Sequence, residues 1–501
     1  METPSYEVVP FDRDKFLDAV RSSLMSRTQV ESHEGADYLE RYLGEIGAKT
    51  IVIENDYTDA DYLDDFANYY VKSYVEYERH CKRLHFFSIG FDETRFISEV
   101  VDRTASDEFL NSYLGFIVVR PLPSAIIGRT VIRTYDSDGA RRNYPTTKRY
   151  LAHLFGCELS VKSLAFQEQD TVLAACATVA LWSAFQKTSA LFGTSPSTPA
   201  QITRAATSAV YSSRPLPSRA LRLEQMARAV RAVGLEPEVI SAGPHVPIMS
   251  LVYGYLQLGV PVVLILDVEG DGHAVTVAGY SLKETPAISR EDWVDPTPPL
   301  RRVGLRIDEL YVHDDGVGPF ARIKVVERPA KEAKKFAVFF EGDWKKADGG
   351  AACLEPRAIL IPVYHKIRLN FMDLQDWVNQ FNTIAELEMK DFEKGEWRFA
   401  LTDTNDFKVS VRTSALPTAI RKGVLLKELP RYVWTATFTV AGKAAVQLVF
   451  DATGMTRSLP VVDVLYYNND VREAVGRVLA SGADQLLNER LLELLREKMG
   501  E

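Results

Sequence analysis

Cys176, His273 and Asp314, met in that order along the chain, are the residue types of a nucleophile, a base and an orienting carboxylate. A free cysteine is more often a small buried hydrophobe than a nucleophile, so the argument rests on where each group stands. Cys176 follows the run Ser163-Leu-Ala-Phe-Gln-Glu-Gln-Asp-Thr-Val-Leu-Ala-Ala and opens a segment whose small and apolar residues recur at helical spacing: Val179, Ala180, Ser183 and Ala184. That spacing predicts a helix with the cysteine in its first turn. There the unpaired N–H groups and the positive end of the helix dipole favour thiolate over thiol.

The other two groups require strands. Residues 259–280 read as a buried strand, a Gly/Asp turn, and an alternating strand that opens on His273. Residues 309–320, Glu-Leu-Tyr-Val-His-Asp-Asp-Gly-Val-Gly-Pro-Phe, predict a third strand that ends in a carboxylate at a Gly/Pro turn. Asp314 is the preferred orienter and Asp315 the alternative, because a shift of one residue moves a strand side chain to the opposite face.

The order and local wording of these segments resemble the papain-like cysteine peptidases, and among them the branch of double-glycine leader peptidases. The resemblance rests on the glutamines before the cysteine, the cysteine at the start of a helix, Gly-Val-Pro-Val at 259–262, His-Ala-Val-Thr-Val-Ala-Gly-Tyr at 273–280, and a strand ending in Asp. Ser197-Thr-Pro-Ala-Gln-Ile-Thr-Arg and Arg222-Leu-Glu-Gln-Met-Ala-Arg-Ala-Val-Arg-Ala-Val-Gly look like that family's next two helices. The match spans roughly residues 155–325, a domain-sized stretch. Where the family commonly has Gly after the cysteine, this chain has Ala177 and Thr178.

The resemblance implies a papain-like fold, a Cys-His-Asp triad, and an oxyanion held by a glutamine side chain and the Cys176 backbone N–H. Gln169 is the preferred donor and Gln167 the alternative. The implied activity is hydrolysis of peptide or isopeptide bonds through a thioester, with a peptide or protein as substrate and no metal or organic cofactor. The same residues would also serve an acyltransferase or amidase, and an inactive scaffold acting as a binding or regulatory module is the reading of a different class.

The chain has 501 residues, which suggests about three domains. The expected division is an N-terminal mixed α/β domain (1–150), the peptidase-like domain (151–330), and a C-terminal α+β domain (331–501), with α+β as the class. The last boundary is placed at the charged stretch 328–335. The composition, 46% hydrophobic and 25% charged, is that of a globular protein, and the formal charge of −9 argues against nucleic acid as a partner. Four widely spaced cysteines, Cys81, Cys157, Cys176 and Cys353, in no Cys-x-x-Cys arrangement, argue against structural zinc and against a disulfide framework. No leader and no long apolar run is evident, so a cytoplasmic protein without membrane contact is expected.

Around the triad segments, helices are expected over 11–24, 35–46, 59–75 and 370–389. Strands are expected over 49–54, 116–123, 126–133, 336–340, 358–364, 397–401, 433–440 and 445–450. The acidic cluster Asp56, Asp59, Asp61, Asp64 and Asp65 reads as a solvated helix start, since it lacks calcium-loop spacing. His80, Cys81 and His85 read as a packed helix end rather than a metal site. The Ser/Thr/Pro-rich stretch 187–217 reads as loops bordering the cleft. Leucines 486, 487, 491, 492, 494 and 495 make a stripe on a C-terminal helix, which packs on its own chain or supports a homo-oligomer. The flanking domains would take a regulatory protein partner.

Overall fold

In the computed structural model, the described residues are 4–101, 105–170, 175–209, 221–243, 246–268, 270–283, 300–329, 336–345, 351–388, 395–455, 460–481 and 489–499. They mix helices and antiparallel sheets, an α+β architecture.

An N-terminal sheet takes β1 (Tyr6–Pro10), β2 (Thr50–Tyr57), β3 (Cys81–Phe87), β4 (Tyr113–Val119) and β5 (Ile127–Ile132) in sequence order. Its helices are α1 (Arg13–Val20), α2 (Arg27–Glu31), α3 (Glu34–Glu45), α4 (Ala60–Asn68), α5 (Glu93–Val101) and α6 (Asp107–Asn111). Local chemistry starts several of them. Asp12 caps α1 by accepting from the Lys15 N–H, and Ser26 with Gln29 forms a capping box on α2.

The short β6 (Arg142–Asn143) and the hairpin β7 (Lys148–Leu154) and β8 (Cys157–Ser163) lead into the central unit. This unit holds α7 (Cys176–Phe192), α8 (Pro199–Ala206), α9 (Leu223–Ala232), β9 (Leu235–Ser241) and α10 (Ile248–Leu256). Its strands β10 (Val262–Val268), β11 (Asp271–Leu282), β12 (Ile307–Asp314), β13 (Gly318–Pro329), β14 (Phe336–Lys345) and β15 (Ala351–Tyr364) pair in order, and β15 returns to β10, so the six close into a ring. Closure removes the free edges that an open sheet would present.

The ring is covered on both faces. Val263, Ala274 and Leu360 pack with Leu181, Trp182 and Phe185 of α7, while Leu264, Val275 and Val277 pack with Leu251, Val252 and Tyr255 of α10. β11 is therefore buried continuously from Ala274 to Ser281 instead of alternating as expected.

The C-terminal unit has α11 (Phe371–Glu388), β16 (Gly395–Asp403), α12 (Thr404–Arg412), α13 (Thr418–Leu426), β17 (Tyr432–Val440), β18 (Lys443–Asp451), β19 (Val461–Tyr466), α14 (Asn469–Ala480) and α15 (Glu489–Met499). Its four strands form one antiparallel sheet in sequence order.

Several expectations change. The sheet crosses the division drawn at 330: β13 pairs with β14 from Lys324 opposite Glu341 to Pro329 opposite Phe336, so the charged stretch joins two neighbouring strands. Cys81 and His85 lie on strand β3, not at a helix end; His85 is fully buried and bonded to Tyr113 and Glu54 at 2.9 Å each. Asp59, Asp61 and Asp65 are buried rather than solvated, although Asp59 does cap α4. The expected helix over 59–75 stops at Asn68, before a single 3₁₀ turn, Tyr70–Lys72. Part of 187–217 is helix, because α7 continues to Phe192 and a Thr198/Gln201 capping box with Pro199 starts α8. Residues 210–220 lie outside the described residues, as do Leu486 and Leu487, while Leu491, Leu494 and Leu495 are buried on the chain itself.

Candidate active site

Cys176 is the first residue of α7, after an N-cap, Ala175, whose side chain makes no capping bond. The first N–H groups of a helix have no intrahelical acceptor, so the sulfur stands where donors are free. Thr178 bonds the facing helix, its Oγ1 being 3.2 Å from Thr203 Oγ1 on α8. β11 is fixed against α7 by the Thr276 hydroxyl, which donates to the Ala180 carbonyl at 2.7 Å. That contact sets the third residue of β11, His273, beside the helix start.

His273 is close enough to Cys176 for the sulfur to favour the protonated ring. Its Nε2 lies 2.9 Å from Asp314 Oδ2, at the end of β12, which leaves Nδ1 for the sulfur. Burial alone would lower the His273 pKa; the Asp314 carboxylate overrides it and, with Cys176 and Asp315, pushes the pKa up to about 11. Asp314 is buried, yet its pKa is lowered: His273, the Trp344 indole N–H at 2.7 Å and the Gly316 N–H at 2.9 Å together outweigh desolvation. A thiol in this setting can pass its proton to a ring already held by a carboxylate.

The neighbours differ in character. His313 is buried between Phe166 and Phe320, both edge-on to its ring, and burial pushes its pKa down to about 3, so it is a neutral packing residue. Asp315 is 8% exposed, both its oxygens lack a hydrogen-bond partner, and burial beside Asp314 pushes its pKa up to about 7.

The segment before the helix is laid along the N-terminal sheet. Phe166 and Thr130 of β5 exchange backbone hydrogen bonds at 2.9 and 2.7 Å, and the Glu168 N–H donates to the Ile127 carbonyl. Arg120 donates to the Glu168 carbonyl, and the Tyr70 hydroxyl donates to Asp170 at 2.8 Å. Gln169 is partly buried; Gln167 is 2% exposed and its Nε2 has no partner. Residues 171–174 lie outside the described residues.

Cys176, His273 and Asp314 thus come together, and neither glutamine has a described contact with them. Sequence reasoning missed Trp344, which reaches Asp314 from β14. Only the closure of the ring brings it there, and nothing in its local sequence marks it. Also missed was the support of the Asp314 hairpin by α3. The Tyr38 hydroxyl donates to the Pro319 carbonyl at 2.8 Å, and a Cβ on Gly318 would lie 2.2 Å from the Tyr38 ring. Among the described residues no helix is long and apolar enough to cross a membrane. Neither a protein-family model nor a curated protein matches this chain.

Proposed function

We propose that this chain is a papain-like cysteine peptidase, hydrolysing peptide or isopeptide bonds through a thioester. The observation that carries the reading is a cysteine at a helix start, beside an imidazole whose Nε2 lies 2.9 Å from a buried carboxylate. A helix packed against a closed antiparallel ring, with Cys on the helix and His and Asp on neighbouring strands, supports the papain-like assignment.

In this reading Cys176 gives its proton to His273, and Asp314 holds the resulting imidazolium in place. The thiolate attacks the scissile carbonyl. The oxyanion receives hydrogen bonds from the Cys176 backbone N–H and a glutamine amide. Gln167 is favoured for that role, because a buried amide N–H without a partner costs about 1–3 kcal/mol and such a group persists where it serves a purpose. The imidazolium then protonates the leaving amine, the thioester forms, and water activated by His273 releases the acid.

The test is the rate of Cys176 alkylation by iodoacetamide from pH 5 to 9, read by peptide mass spectrometry, in the wild type and His273→Ala. Rapid labelling already at pH 6, at least tenfold slower in the variant, is expected, followed by peptide hydrolysis that Cys176→Ser abolishes. Labelling that rises only near the free-thiol pKa of about 8.5, alike in both proteins, would sink the reading in favour of an inactive scaffold.

A further inference from the structure

The triad gives Asp315 no task, yet Asp315 is the residue whose placement is hardest to account for by folding alone. It is 8% exposed with both carboxylate oxygens unpartnered, and a buried carboxyl without partners is strongly disfavoured as an anion. It also sits directly beside another buried carboxylate. One donor atom each from His273, Asp314 and Asp315 all lie within 4.8 Å of one another, the one such set among the described residues. Two carboxylates and one imidazole nitrogen converging in a buried space call for a cation.

We propose that His273 Nε2, Asp314 and Asp315 form a binding site for one divalent transition-metal cation of the Zn²⁺ class, which holds the cysteine chemistry off. One nitrogen and two oxygens suit a borderline cation better than Ca²⁺ or Mg²⁺, which take oxygen ligands in larger numbers. Zinc bonds of about 2.0–2.2 Å in a tetrahedral arrangement place neighbouring donors roughly 3.4 Å apart. The His273–Asp314 pair must therefore open slightly from 2.9 Å and Asp315 must draw in. Trp344 and Gly316 would keep donating to Asp314, an outer shell that fixes the ligand's orientation.

The exchange balances simply. The cation takes the place of the proton that His273 Nε2 shares with Asp314, and that proton, with any carried by Asp315, leaves to water. The ring keeps its Nδ1–H toward Cys176. The ring is then neutral and no longer holds the sulfur in an ion pair, so the sulfur takes up one proton from water and stays a thiol that the ring cannot deprotonate. Only this switching consequence rests on the peptidase reading; the site itself does not.

The experiment uses the full chain, stripped with EDTA and titrated with Zn²⁺ against a chromophoric chelator, in the wild type, Asp315→Asn and Cys176→Ala, with circular dichroism confirming the fold of each. One Zn²⁺ per chain is expected, bound at least about 10- to 100-fold more weakly by Asp315→Asn, since loss of even an outer-shell partner costs that much, and within about threefold of wild type by Cys176→Ala. Absence of binding overturns the site, as does equal affinity in Asp315→Asn. So does loss in Cys176→Ala, which would put the ion on the Cys-His pair. Iodoacetamide labelling of the wild type should slow at least tenfold with one equivalent of Zn²⁺ and recover with EDTA. Unchanged labelling of a zinc-loaded protein overturns the switch while leaving the site standing.

Discussion

The N-terminal and C-terminal units both pack on the central ring, but they take hold of different parts of it. The N-terminal unit grips the segments that flank the chemistry: β5 carries the glutamine segment, Tyr70 anchors Asp170, and α3 sets Tyr38 against Gly318 and Pro319 just beyond Asp314. The C-terminal unit grips the scaffold. Trp434 of β17 is fully buried, edge-on to Tyr255 of α10 at 5.1 Å, with its indole N–H donating to the Leu369 carbonyl. Tyr432 meets Phe192 at the end of α7 opposite Cys176. One flank therefore bears on site geometry and the other on stability.

The sharpest way to break this contrast is Trp434→Ala. Removing a fully buried tryptophan should cost about 3–5 kcal/mol, read as a shift in the urea midpoint, while Cys176 alkylation in the folded protein stays within about twofold of wild type. A comparable loss of labelling would show that the C-terminal unit also sets the site. On the other flank the glutamine segment should behave in the opposite way. Gln167→Ala should lower hydrolysis about 10²- to 10³-fold, the loss of one oxyanion donor, with little change in the urea midpoint. Gln169→Ala should cost less than about tenfold. The reverse order would assign the donor to Gln169.

How much of this was legible in the sequence follows from how local each cause is. Helix α9 and strands β5, β16 and β17 could be read from periodicity, because their burial is one-sided or their apolar runs are long. Cys176, His273 and Asp314 could be read because each stands at the end of an element, where sequence punctuation is strongest. The rest depended on contacts far apart in sequence. His85 reads as a helix residue in sequence but is enclosed by β2 and β4, and Asp61 reads as solvated but is buried against Arg129, 2.6 Å away. Trp344 and the pairing of β13 with β14 follow from ring closure, a nonlocal fact that no window of sequence contains. Asp315 was seen only as a rival to Asp314; the structure brings both carboxylates close to His273.

The smallest effect belongs to Glu238, which sharpens the comparison from the scaffold side. It lies on β9, receives a hydrogen bond from the Tyr255 hydroxyl, and leaves its other oxygen buried and unpartnered. Burial, opposed by the Tyr255 bond and aided by Asp373, pushes its pKa from 4.5 up to about 7. A folded-state pKa raised in this way means that the group's stabilising contribution is complete below pH 4.5 and is lost as pH rises through 7. Glu238→Gln keeps an acceptor for Tyr255 and removes the titration. Relative to wild type, the variant should therefore gain unfolding free energy between pH 4.5 and 8, by about 1 kcal/mol or more at the upper end, with no such gain below pH 4.5. Urea melts across that range measure the difference directly. Because Glu238 touches scaffold and not site, Cys176 labelling at pH 6 should be the same in both proteins. A change in labelling would mean that α10 and the ring transmit strain to His273, and the division between the two flanks would fail at its most sensitive point.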